Sequence, residues 1–394
     1  MYKCYFLLDN VFPSPHGDIT LDFGRDNGSV QLSYLLGHWD DFSFRNFFHI
    51  NQLSLLPAKT PKFIFDHIHM PGNTDIHISQ ASIDLLNNDP SVYLCLSSVL
   101  ECRMSPDKLE QELRSKNIPL HKVVVMCSDR DAHNRIIHGV KYVSVNFWES
   151  ITRLHHQVLP NISFTSKPTV RGATKKFLCL NRNIKPHRIW LMYSLLRSDV
   201  LDEGHVSFQL PAVGRREFED VARRHSVLNQ IPEELHKDYK LALLREMRPR
   251  KLDTLHKQFV INYGDSIKPY YEDSVLSVVT ESDTHKNFIT EKTYKAIMNL
   301  HPFFIVGNPQ QHELLRERGY HTFEDLFGVN KVTNFVEAQA MWKHIKNYDI
   351  DVLKRTVRRK YYDKLLHNQQ LFLSRKISWN DITDNLIEAV VNIE

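Results

Sequence analysis

Thr290, Glu291 and Lys292 stand in a row after an apolar run that ends at Thr280 and a polar stretch over 281–289. A threonine there is a good helix N-cap, and the free amides of the turn it opens attract an anion such as a diphosphate. Lys292 adds a formal positive charge at the same place. Glu291 is a favourable first-turn acid and is also placed to accept hydrogen bonds from ribose hydroxyls. The plain alternative is a helix start with a solvated acid and base, since capping patterns are common. The next residues favour burial: Tyr294, Ala296, Ile297, Met298 and Leu300 are apolar and lead directly into His301-Pro-Phe-Phe-Ile-Val-Gly-Asn-Pro309.

Two other clusters invite a chemical reading. His67, His69 and His77 are metal-ligand types, and strand alternation puts His67 and His69 on one face. The chain has 22 histidines, so two or three close together need no metal, and none is assigned. The run 354–364 carries six basic residues and two tyrosines on one predicted helix; it reads first as a solvated face and second as a contact for a polyanion.

These residues need strands and helices to place them. Over residues 1–160, apolar runs at 62–65, 91–96, 122–126 and 142–146 alternate with helical stretches at 105–113 and 146–155. Val/Ile-rich runs of this length fit strands covered on both faces, and strand, helix, strand at this spacing predicts parallel βαβ units. Residues 158–172 hold two prolines, a glycine and several hydroxyl residues, so the domain boundary is placed there. From 173 a second α/β pattern begins, with strands at 176–180, 274–280 and 302–306 and helices at 186–196, 291–300 and 309–318. Residues 214–258 read as a helical insertion and 332–394 as a helical tail. The expectation is two Rossmann-like domains, 1–160 and 173–394.

At 394 residues with 42% apolar and 24% charged composition, the chain exceeds one comfortable core. Cys4, Cys95, Cys102, Cys127 and Cys179 are odd in number and mostly lie in apolar runs, which predicts reduced core thiols and a cytoplasmic location. No run approaches the ~20 apolar residues of a membrane helix, and the first eight residues lack the form of a signal peptide, so no membrane partner is expected. The net charge of +4 suits a phosphate-bearing ligand without indicating nucleic acid.

A strand followed by Glu281-Ser282, then Phe288-Ile-Thr-Glu-Lys-Thr-Tyr-Lys-Ala296, then Pro302-Phe-Phe-Ile-Val-Gly-Asn-Pro309 resembles the donor-binding signature of the α1,3-fucosyltransferase family and of fucosyltransferase-like proteins of bacteria and large phages. The stretch 175–196, followed by Asp202-Glu-Gly204, is similar to that family's strand, Asn-containing loop, Arg and helix. The resemblance covers 175–325 apart from the insertion. Ser282 stands where the family has Asn, and Asn308 where it has Ser. The resemblance implies a GT-B fold and inverting transfer of a sugar from a nucleoside-diphosphate sugar, with no cofactor required beyond that donor. It implies that Arg188 contacts the donor diphosphate, a role that suits a planar guanidinium at a loop-to-helix junction; Arg182 is the competing choice. Thr290, Glu291 and Lys292 complete the donor side. Glu281 could face the sugar and stabilise charge at its anomeric carbon, or else bond to nearby backbone. Asp66 or His67 would deprotonate the acceptor hydroxyl, with Asp129 as rival base. The acceptor expected is a glycan or a hydroxymethylated DNA base. A nucleic-acid-binding or structural protein with a degenerate transferase fold is the competing reading, and oligomeric state is left open.

Overall fold

The computed structural model describes residues 5–8, 47–49, 53–54, 56–67, 76, 78–98, 105–146, 148–149, 152–153, 170–181, 185–208, 229, 231–236, 238, 268–375 and 385–390. The chain divides into two compact units: Met1–Leu154 together with Lys376–Glu394, and His155–Arg375. The tail expected to belong to the second half is thus shared, its last segment grouping with the first unit. Most of the expected insertion at 214–258 lies outside the described residues.

The first unit is built on strands β1 (Tyr5–Leu8), β2 (Phe47–His49), β3 (Lys62–His67), β4 (Val92–Ser98), β5 (Val123–Cys127), β6 (Ile136–Ile137) and β7 (Val140–Ser144). They form one sheet in the order β2-β1-β3-β4-β5-β7-β6, parallel except for the β6–β7 pair. That pair closes through His138 and Gly139, both at positive φ (52° and 81°), which lets a two-residue hairpin follow the strands' twist. Alternate residues of the strands, Ile64, Leu94, Leu96, Val123 and Val125, pack on one face with Ile83 and Leu86 of α1 (Gln80–Asn88) and Leu109 and Leu113 of α2 (Pro106–Ser115). Helix α2 starts at the proline the sequence marked, with Asp107 in its first turn. Helix α1 was not expected; Ser79 caps it by accepting from the Ser82 amide at 3.2 Å.

The second unit holds β8 (Lys175–Asn181), β9 (Gly204–Phe208), β10 (Ser274–Thr280) and β11 (Phe303–Val306), all parallel, in the order β11-β10-β8-β9. Around them lie α3 (Pro186–Arg197), α4 (Glu291–Met298), α5 (Gln311–Glu317), α6 (Phe335–Lys346), α7 (Ile350–Thr356) and α8 (Tyr362–Ser374). Every residue of β10 is buried, the signature of a central parallel strand covered on both faces. Helix α3 is buried from His187 to Leu195. It packs on α6 through Tyr193 against Phe335 at 5.3 Å, and the Trp342 indole donates to the Ser194 hydroxyl at 3.1 Å. Helix α8 braces α4: Phe372 stacks on Tyr294 at 5.5 Å and the Gln369 amide donates to the Met298 carbonyl at 2.6 Å. Within the expected helical tail, α7 and α8 are joined by a π turn, Val357–Tyr361.

Both sheets are therefore α/β and Rossmann-like, as the alternation of strand and helix predicts. In each, the chain leaves a central strand for one side and then returns to the other: β1 lies between β2 and β3, and β8 between β9 and β10. Such a reversal opens a crevice at the carboxyl ends of the strands.

Candidate functional site

In the second unit that crevice lies where β8 and β10 end side by side. Asn181 closes β8, and its side-chain oxygen accepts from the Thr280 hydroxyl at 2.7 Å, tying the two strand ends together. The chain leaves β8 and enters α3 at Pro186, whose fixed φ suits a first helical position. The first turn of α3 then reaches across to the end of β10. His187 Nε2 donates to the Glu281 carbonyl at 2.9 Å. Arg188 Nη2 donates to the Thr280 carbonyl at 3.1 Å and to that of Glu281 at 3.4 Å. Lys185 Nζ donates to the Ser282 carbonyl.

Glu281 is fully buried and is the hub of the next connection. Its carboxylate accepts from the Thr290 amide at 3.2 Å, the Thr290 hydroxyl at 2.5 Å and the Thr293 hydroxyl at 2.6 Å. The strand end thus holds the start of α4 directly. Thr290 caps α4 as expected, accepting from the Lys292 amide at 3.4 Å. The Lys292 ammonium donates to the hydroxyls of Ser282 and Thr290, both at 3.2 Å, and to Glu291 Oε1 at 3.0 Å.

The intervening loop is held from behind. Asp283 turns it by accepting from the amides of His285 at 2.7 Å and Lys286 at 3.2 Å. Asn308 donates to the His285 carbonyl at 2.9 Å and Gln311 to that of Phe288 at 2.6 Å. A glycine stands at 307 because a Cβ there would lie 2.3 Å from Gln311 Oε1 and 3.0 Å from Glu281 Cβ.

Charges of both signs meet here, Lys185, Arg188 and Lys292 with Glu281 and Glu291. The His187 imidazole is held well below its usual pKa by burial and by the neighbouring Arg188, Lys185 and Lys292, so it stays neutral. Burial acts to raise the Glu291 carboxyl, yet Lys292 and Lys295 hold it below its ordinary value, so it is ionised beside Lys292. Arg188 is almost wholly buried; it supplies a permanent charge beneath the crevice while it fastens two carbonyls. One guanidinium and two ammonium groups, the Lys292 one paired with Glu291, thus stand at the end of β10 beside a helix start, groups of the kind that bind phosphate oxygens.

Of the residues singled out from sequence, Arg188, Glu281, Thr290, Glu291 and Lys292 meet at this strand end. Arg182 lies outside the described residues. Asp66 sits near the end of β3 in register with Leu96, in the other unit; its side chain is outside the described set. Asp129 caps a single turn, Arg130–Ala132, by accepting from the Asp131 amide at 3.2 Å. His67 lies in β3, while His69 and His77 are outside the described residues. Among the described residues no group of three or more His, Cys, Asp or Glu is placed to hold a metal ion. Sequence reading passed over Lys185 and His187, although both flank the proline that opens the Arg188 helix. It also missed Thr293, one helical turn past Thr290, and the loop anchors Asn308 and Gln311.

The sequence matches no protein-family model and no curated protein. Likenesses to solved structures are distant. An alpha1,3-fucosyltransferase is 10% identical over 99% of this chain and 91% of its own, at a TM-score of 0.41. The N-terminal domain of Candida albicans trehalose-6-phosphate phosphatase is 9% identical over 87% and 72%, at 0.40. The alpha,alpha-trehalose 6-phosphate synthase of Burkholderia multivorans is 12% identical over 87% and 73%, at 0.38. Scores of this size establish no function. Among the described residues, no helix is long and apolar enough to cross a membrane.

Proposed function

We propose that this chain is a glycosyltransferase of the GT-B kind whose second unit takes a nucleoside-diphosphate sugar at the β8/β10 crevice. One observation carries the reading: side chains from two separate helix starts, Lys185, His187 and Arg188 from one and Lys292 from the other, converge on the end of a single buried strand. In this reading Lys185 and Lys292 receive the diphosphate, Arg188 adds its charge from the end of β10, and the three cations stabilise the leaving diphosphate as the bond between the sugar and its phosphate breaks. Glu291 accepts from the ribose hydroxyls. Glu281 acts as a positioning residue, since its carboxylate is occupied with Thr290 and Thr293. The acceptor hydroxyl, on a glycan or a hydroxymethylated DNA base, attacks with inversion and gives its proton to Asp66. No resident cofactor enters this scheme.

The test is calorimetric titration of the full chain with a panel of nucleotide-sugars. Wild type is expected to bind one of them, and Lys292→Met to bind it at least tenfold more weakly, about 1.4 kcal/mol. Asp66→Asn is expected to keep that affinity and lose turnover. Arg188→Ala is a poor probe because it strips hydrogen bonds from two strand-end carbonyls and weakens the fold itself. Failure of every nucleotide-sugar to bind, or full affinity in a folded Lys292→Met variant, overturns the reading.

A further inference from the structure

Between Ile350 and Ser374 the chain carries six basic residues and two acids, an excess equal to the +4 of the whole protein. The remaining sequence is therefore neutral, and the positive charge of the molecule belongs to one helical segment. The fold displays that charge rather than spending it internally. The segment is fastened through Leu353, Val357, Tyr361 and Leu365, all buried. The π turn Val357–Tyr361 puts three consecutive basic side chains, Arg358, Arg359 and Lys360, into solvent between two of those anchors. Arg355 is exposed one turn earlier. Lys354 pairs with Asp351 at 3.3 Å and Lys360 with Asp325 at 2.9 Å. Among the described residues, nothing forms an ion pair or hydrogen bond with the guanidinium groups of Arg355, Arg358 or Arg359. π turns inside α-helices occur often at functional sites, because the extra residue costs helix stability.

We propose that the Arg355, Arg358, Arg359 face binds the phosphate backbone of a nucleic acid, without reading its sequence. Guanidinium forks match phosphate oxygens and are weakly hydrated, so three unpaired ones on one face favour phosphates over an array of carboxylates or water. From Arg355 to Arg359 the helical rise covers about 6 Å, which spans roughly three phosphates of one strand at about 3.4 Å spacing. An anionic bilayer fits less well. Helices that lie on membranes present an apolar face beside the basic one, whereas here the apolar residues face inward and Val352 is the one large apolar side chain exposed in the described segment. The inference does not depend on the donor crevice, and the two succeed or fail separately.

The experiment is fluorescence anisotropy of a labelled 30-base-pair duplex with the full chain, from 50 to 200 mM salt. Three phosphate contacts release counterions with a log–log slope of about −2.7, a loss of roughly 40-fold in affinity across that range. The double variant Arg358→Gln, Arg359→Gln is expected to retain the unfolding midpoint and show a slope of about −0.9, a loss of roughly 3-fold. Arg358→Lys, Arg359→Lys keeps the charges and is expected to keep the steep slope. Absence of duplex binding at 50 mM salt overturns the proposal, as does a wild-type slope in the glutamine variant. Binding to phosphatidylserine vesicles that is tighter than to duplex, and lost in that variant, overturns it too.

Discussion

The two units share a frame and differ at its rim. In the first the strands run β2-β1-β3-β4, and in the second β9-β8-β10-β11, so each chain segment reverses beside its first strand in the same way. The carboxyl ends of the strands then diverge in chemistry. Those of the second unit gather Lys185, His187, Arg188 and Lys292 around a buried glutamate. Those of β3, β4, β5 and β7 in the first end in His67, Ser98, Cys127 and Ser144, with Asp66 one position before the end of β3 and Asp129 two positions past β5. The same topology thus carries three basic side chains around two glutamates in one unit, and hydroxyls, a thiol and an imidazole in the other. What distinguishes them is which residues stand in the first few positions after each strand, and not the sheet itself.

That contrast breaks most sharply at Glu281. Glu281→Ala leaves the Thr290 amide and two threonine hydroxyls without their acceptor inside the protein, and is expected to cost about 3 kcal/mol or more in denaturant unfolding. An unchanged midpoint would show that the strand end does not hold α4.

Acid separates the units next. His301 donates to the Tyr271 carbonyl at 2.6 Å and meets the Ser277 hydroxyl at 3.0 Å, and burial pushes its pKa down to about 4. His187 is shifted in the same direction by burial and by its cationic neighbours. Both folded values lie below the unfolded one, so the unfolded chain takes up protons first. Stability is full above about pH 6.5 and falls as the pH drops from there toward the folded values, with a slope approaching 1.4 kcal/mol per pH unit for each histidine. Hydrogen exchange between pH 7 and 4.5 is expected to show β10 losing protection before β4, and His301→Asn to flatten the dependence.

The smallest effect lies at the aspartate in the comparable position of the first unit. Asp129 caps a single turn by accepting from the Asp131 amide, so Asp129→Ala is expected to cost about 1 kcal/mol, the usual scale of a lost cap. A loss as large as that at Glu281 would mean that the two edges are built alike.

The long apolar runs were legible because they outlast their surroundings: 274–280 became β10 with the same bounds, and the strands at 62, 92 and 123 extended the expected ones by a residue or two. Four strands were not, among them the two-residue β6, Ile136–Ile137. Tyr5–Leu8 and Phe47–His49 are only four and three residues long, too short for a periodicity to show, and Gly204–Phe208 opens on a glycine and interleaves His and Ser with its apolar residues. At the site, residue types were readable and partnerships were not. The sequence marked Glu281 as a carboxylate at a strand end, but its acceptance from Thr290 and Thr293 depends on the path of the loop between them. That path is set by Asn308 and Gln311, more than twenty positions away from the carbonyls they hold. Likewise the basic run was evident as composition, whereas the π turn that exposes it arises from how Val357 and Tyr361 are anchored.

The Lys292 ammonium rests on three oxygens, and its loop is held by bonds at Ser282, Asp283, His285 and Phe288. A side chain so confined surrenders little further rotational freedom on meeting an anion, so the entropic penalty of long flexible lysines, up to about 2 kcal/mol, was met during folding. If the proposed donor binds here, its association resembles the fit of two rigid bodies, with a speed governed by diffusion and charge rather than by closure around it.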